Sequence, residues 1–248
     1  MSARLPILLG AVLLVSPATT SAADDPAAIV EKAIKAAGGE EKLAKTKAEQ
    51  WKAKGTIAMM GMKMTYSADY FFQKPGQMRF DIAVDIGEMK MNFTAATDGK
   101  VAWEKMGDML QEMEAKKGKA FHDQVYTMHL CGVLPLKDKD YTLAMADEIK
   151  IDGKEAIGVK VTKKGQRDVT LYFDKKTGLL AKCASTVWDE FTDKEVSQEA
   201  FIMDWKEKDG MKHFGKLVIK RDGKDFITEE FSDQKSVDKF DAKTFAKP

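Results

Sequence analysis

The side chains best suited to chemistry in this sequence are soft ones. Met59, Met60, Met62 and Met64 fall within six positions, and the whole chain has 15 methionines. Thioethers suit Cu(I), so a metal site is the first chemistry to weigh. Met60, Met62 and Met64 alternate along a strand pattern, and each step of two carries the next sulfur about 7 Å further on. A metal needs its ligands to converge on one point. The same alternation continues through Tyr66, Tyr70, Phe80, Ile82 and Val84, which do not ligate copper. An adaptable apolar wall accounts for all of these residues. No metal or other cofactor is expected; a methionine-rich copper-binding protein stands as the rival reading from another class.

Other reactive side chains form no recognisable site. His122 and His129 could share a helix face with Cys131 just beyond, but neither they nor His213 have the ligand spacing of a zinc or copper centre. No serine occupies a nucleophile elbow, and no glycine-rich loop opens a helix after a strand. No catalytic residue is expected, and the chain reads as a binding protein, not an enzyme. Cys131 and Cys183 could pair in an oxidising compartment. Two cysteines at unrelated spacing leave the disulfide open.

The elements that must carry the wall are strands. From Lys52 the hydrophobic period is two: Met60, Met62, Met64, Tyr66, Ala68, Tyr70 and Phe72 alternate with Gly61, Lys63, Thr65, Ser67 and Asp69. That is the pattern of a strand with one apolar and one wet face. Met78, Phe80, Ile82 and Val84 repeat it, then Met89, Met91 and Phe93, and Asp98-Gly99 turns the chain into Val101 and Trp103. Further turns at Asp152-Gly153, Lys164-Gly165, Thr177-Gly178, Asp209-Gly210 and Asp222-Gly223 predict an antiparallel meander, not alternating strands and helices. Helical spacing occurs over Ile29–Ala37, closed by Gly38-Gly39, and at Phe121, Val125, Met128 and Cys131. So few helical residues cover only part of so large an apolar face. The pattern alone does not separate a filled core from a hollow, methionine-lined cavity.

The chain has 248 residues, with 40 basic against 39 acidic ones and a net charge of +1. That balance gives no basic face for a nucleic acid. Residues 1–23 have a different composition. Arg4, the apolar run "LPILLGAVLLV" and small residues up to Ser21 and Ala23 have the layout of a cleavable secretory signal peptide, and the run is too short to span a bilayer. The mature chain, residues 24–248, is expected to be one domain, exported to a periplasm or secreted.

Four stretches, in order, carry a family likeness: "FFQKPGQMRFDI", "ATDGKVAWEK", "LYFDKKTGLLAKC" and "EFSDQKSVDKFDAKTFAKP". Together with the leader, first helix and interrupted run of strands, they make the chain resemble the periplasmic lipoprotein carriers, LolA with its relative LolB and the outer-membrane lipoprotein-sorting proteins. The resemblance implies a mainly antiparallel α+β fold, an open, curved half-barrel sheet with a helical lid. It implies a carrier of lipid or the acyl chains of lipoproteins from an inner-membrane donor towards an outer-membrane acceptor, with a lipid or lipoprotein sensor of the same fold as the alternative; a monomer is expected. The expected cavity lining is Met60, Met62, Met64, Tyr66, Tyr70, Met78, Phe80, Ile82, Val84, Met89, Met91, Phe93 and Trp103. Lys74, directly before the proline, falls where the family's lid-contacting arginine lies, although lysine lacks arginine's planar fork.

Overall fold

The computed structural model describes residues 25–59, 61–87 and 89–248. The leader expected at residues 1–23 and the candidate residue Met60 lie outside the described residues. Asp25 starts the first helix, α1 (Pro26–Ala37), by accepting a hydrogen bond from the Ala27 amide at 3.0 Å, with Pro26 pre-set for the first turn. Val30, Ala33 and Ile34 form its buried stripe. A short helix, α2 (Glu40–Lys45), follows and leads into the sheet.

The strands β1 (Ala48–Met59), β2 (Met62–Gln73), β3 (Gln77–Ile86), β4 (Met89–Thr97), β5 (Ala102–Met106) and β6 (Met109–Glu112) run as one antiparallel meander. The helix α3 (Ala115–Cys131) and a 3-10 turn (Leu134–Lys137) interrupt it. A second meander contains β7 (Thr142–Ile151), β8 (Lys154–Thr162), β9 (Val169–Asp174), β10 (Leu180–Asp189) and β11 (Lys194–Met203). A small separate hairpin, β12 (Lys206–Lys208) with β13 (Met211–His213), precedes β14 (Lys216–Arg221) and β15 (Lys224–Val237). At the predicted turns 152–153, 209–210 and 222–223 both residues take positive φ, the geometry a two-residue hairpin needs.

Thirteen strands join in the order β6-β5-β4-β3-β2-β1-β15-β14-β11-β10-β9-β8-β7. The result is an open, curved antiparallel sheet that does not close into a barrel. Local turns predict the two meanders. The pairing of β1 with β15, which joins them, comes from no local signal.

Helices cover the sheet unevenly. α1, the end of α3 and the 3-10 turn bury Leu130, Val133 and Leu136 against Val159, Val161, Val169, Leu171 and Phe173 of the second meander. Each such side chain, fully buried, contributes about 1.5–3 kcal/mol. The first half of α3 lays Phe121 and Val125 over Phe72, Met78, Ala95 and Ala102. Ion pairs hold the helix on both flanks: Lys117 reaches Glu104 of β5 at 2.7 Å and Glu190 at 2.9 Å, and Asp123 meets Arg167 at 2.6 Å. α3 therefore spans both arms of the sheet as a lid. It starts at Ala115, six residues before the first apolar position of its sequence pattern, because its opening turns carry no large apolar side chain.

The opposite, convex face of β2 to β5 is covered by the end of the chain. Phe240 packs edge-on against Phe71 at 5.6 Å and against Phe245 at 5.8 Å, and the Trp103 indole donates to the Phe245 carbonyl at 2.8 Å. This corrects one cavity assignment. Trp103 pairs with Ala96, Ala96 with Arg79 and Arg79 with Phe71, so Trp103 shares Phe71's face, opposite Phe72 and Phe80. The tight turn after Asp98 sets that register, and Ala102, not Trp103, points to the concave side.

Candidate functional site

On the concave face the strands align apolar residues in rows that cross the sheet. Trp51, Tyr70, Phe80 and Ala95 stand in one row, and Ala53, Ala68, Ile82 and Phe93 in the next. Tyr66, Val84 and Met91 form a third, and Ile57 with Met64 a fourth. The first row lies at the edge of the lid. Trp51 stacks on Tyr70 at 5.2 Å, Phe80 lies 6.0 Å from both Tyr70 and Phe93, and Phe121 of α3 meets Phe80 edge-on at 5.6 Å. Such aromatic pairs contribute about 0.5–1.5 kcal/mol each beyond burial.

The third and fourth rows have a different cover. With the second row they form a cluster of Ala53, Tyr66 and Ala68 with Ile57, Tyr70, Ile82, Val84, Ile227 and Phe231, which contains no helix residue and meets the first row at Tyr70. Met64, Ile82, Val84, Met91 and Phe93 are half-buried. Met78 is fully buried beneath α3. The expected lining thus divides into a lidded part, an uncovered part and a rim. At the rim, Met62 is 57% exposed and Met89 71% exposed, each at the tip of a hairpin, so these two project beyond the enclosed face. Met106 and Met109 flank the β5–β6 turn, and Phe191 sits in the β10–β11 turn; all are exposed at the same end of the sheet.

Trp51, Ile57, Ile227 and Phe231 share this face and are absent from the sequence-based lining, and so is one acid, Glu229. Glu229 of β15 stands opposite Gly55 of β1, which stands opposite Tyr66 of β2. The carboxyl oxygen Oε1 accepts from the Tyr66 hydroxyl at 2.6 Å and also from the Tyr70 hydroxyl. Burial pushes the Glu229 carboxyl above its usual range, while the two hydroxyl donors pull it back. Burial and the Glu229 charge raise both tyrosines, which stay protonated at ordinary pH. Ile227, Glu229 and Phe231 alternate, which places position 229 on the apolar face, but the adjoining Glu230 makes the acidic pair read as solvated until β1 is known to be its neighbour.

No protein-family model matches the sequence, and no curated protein does. Solved structures do match in shape. A DUF1329 family protein from Desulfovibrio piger superposes with TM-score 0.59 at 16% identity, covering 90% of this chain and 98% of that one. A LolA superfamily protein from Nitrosomonas europaea gives 0.59 at 12% identity, covering 91% and 99%. A domain from Vibrio parahaemolyticus assigned as an outer membrane lipoprotein-sorting protein gives 0.53 at 10%, covering 87% and 97%. The chain has a LolA-like fold. The half-barrel with a helical lid, expected from the sequence, is the architecture found.

In this LolA-like sheet Lys74 bonds to the end of the short helix and shares a cleft with His129 of the long one. Its ammonium donates to the carbonyl of Thr46, at the end of α2, at 2.9 Å, and lies 4.0 Å from Glu49. Burial lowers its pKa, and Glu49 partly restores it. A cleft of about 430 Å³ opens beside it, with His129, Leu134 and Tyr141 in its wall. Burial, reinforced by the charges of Lys74 and Lys163, lowers His129 to about 4, so its imidazole is neutral at pH 7. Cys131, in the last turn of α3, and Cys183 of β10 are brought together as free thiols. The neighbouring Cys131 thiol and burial push the Cys183 thiol well up. Among the described residues no group of three or more His, Cys, Asp or Glu side chains could hold a metal.

Proposed function

We propose that this protein is an exported, non-enzymatic carrier that holds lipid or the acyl chains of lipoproteins on its concave face and passes them towards an outer membrane. The observation that carries the reading is the unlidded part of that face. Ile57, Ile82, Val84 and Ile227 belong to a half-buried apolar cluster that contains no helix residue, and Met64 and Met91 stand half-buried beside them in the same rows. Ordinary antiparallel sheets bury such a face, and methionine repacks around variable apolar shapes. The exposed rim of Met62, Met89, Met106 and Met109 extends the apolar surface outward, where an acyl chain would enter. The sorting role assigned to the Vibrio domain enters here as part of the proposal, as do a membrane-bound donor and acceptor. Among the described residues no helix is long and apolar enough to cross a membrane.

The test is binding of a fluorescent fatty-acyl probe, with mass spectrometry of lipids extracted from the purified protein, on wild type and Met91→Glu. On a face open to water the new carboxylate remains solvated, so the variant keeps its melting temperature and loses the probe. A wild type that binds no acyl probe and yields no lipid overturns the carrier reading. So does a Met91→Glu variant that unfolds, since the face would then be closed core.

A further inference from the structure

Glu229 is an expensive residue where it stands. Its neighbours on the same face of β15 are Ile227 and Phe231, it is 5% exposed, and among the described residues no lysine or arginine pairs with it. An aliphatic side chain would fill the position without burying a charge. Instead the sheet makes room for the acid. A Cβ at position 55 would stand 2.5 Å from the Thr228 carbonyl and 3.0 Å from both Glu229 Cγ and Tyr66 Cζ, so the backbone of β15 requires glycine there and the Glu229 and Tyr66 side chains pack into the space it leaves. Both tyrosines then donate to the same oxygen, Oε1. They fix the carboxyl plane and hold the group as an acceptor, while no described protein group donates to Oε2.

Building on the carrier reading, we propose that Glu229, oriented by Tyr66 and Tyr70, is a polar anchor in the acyl-binding face. Its Oε2 accepts a hydrogen bond from a donor on the cargo: a hydroxyl, an amide N–H or an ammonium. The cargo is then an acyl chain carrying a hydrogen-bond donor, as in an N-acylated or hydroxylated lipid, and not a free fatty carboxylate. The apolar rows bind hydrocarbon regardless of head group. Glu229 supplies the discrimination, because a cargo carboxylate at the same place brings a like charge and must take up a proton before it can donate a hydrogen bond.

The experiment compares matched C18 ligands, oleyl alcohol, oleamide, oleylamine and oleate, displacing one fluorescent acyl probe at pH 8 from wild type, Glu229→Gln and the double variant Tyr66→Phe/Tyr70→Phe. Wild type should bind the three donor ligands at least about tenfold more tightly than oleate, the range of one hydrogen bond to a charged group. In Glu229→Gln that ratio should fall to about threefold or less, with hydrocarbon binding retained, since a neutral amide offers both a donor and an acceptor. If Glu229→Gln does not fold, the tyrosine pair decides. Without its donors the carboxyl becomes harder to ionise, so the ratio should fall in that variant too. Equal wild-type affinity for oleate and oleyl alcohol overturns the anchor, as does a ratio unchanged in the variants. Failure of every C18 ligand to bind wild type overturns the carrier reading instead.

Discussion

Gly55 shows how one residue without a side chain organises its neighbours. Glycine inside a strand weakens it through backbone freedom and lost packing, yet here it lies mid-strand between β15 and β2 and leaves the space that Glu229 and Tyr66 fill. Gly55→Ala should therefore cost about 1–3 kcal/mol, as overpacking does. Gly118 is the control. It sits in α3, where an added Cβ meets nothing nearer than 3.7 Å, so Gly118→Ala should be neutral or stabilise by up to about 1 kcal/mol. Urea titration of both variants checks the contrast, and equal effects would mean that the space at position 55 is not used. At this scale the apolar wall was legible because side-chain direction alternates along a strand. Glu229 was not, because an acid beside a second acid reads as a solvated face until β1 is known to be its neighbour. Trp103 was misplaced for a related reason: a two-residue turn decides which face the next strand presents, and composition does not reveal it.

At the scale of elements, α1 and the predicted hairpins follow from caps, stripes and Asp-Gly turns, each a local signal. The first turns of α3 and the tail after β15 do not, since their order comes from contacts made across the molecule. The tail is the clearer case. Phe245 is 1% exposed and closes over Trp103 on the convex face, away from the proposed cargo face. Phe245→Ala should lower stability by about 3–5 kcal/mol and shift tryptophan emission to the red, while acyl-probe affinity under native conditions stays unchanged. Loss of probe binding at full folding would place the tail in the binding machinery.

For the whole molecule, the methionines distinguish interior from rim. Sulfoxide formation follows exposure, so brief peroxide treatment followed by peptide mass spectrometry should find Met62, Met89 and Met109 oxidised well before Met78. These three are 57%, 71% and 68% exposed, against 5% for Met78. A Met78 oxidised as fast as the tips would mean that the space under α3 is open to water. The class of architecture was legible from turn spacing and period. The strand order was not, because which strand lies beside β1 is decided by a pairing between distant parts of the chain.

That pairing has a kinetic consequence. Every strand from β1 to β6 bonds to its neighbours in sequence, and so do β7 to β11, so each half can assemble from short-range encounters. The β14–β15 hairpin bridges them, β15 pairing with β1 and β14 with β11, and Gln50 meets Lys235 only after the whole chain between them has closed into a loop. Contacts so remote in sequence are slow to form. Glu229 lies on that bridging strand, whereas Tyr66 and Tyr70 belong to the first half. The two hydroxyls therefore wait, in a preassembled half, for a carboxyl delivered when the halves join. The polar anchor is a product of the final zippering, and a chain halted before it would present greasy rows with nothing to tell one head group from another.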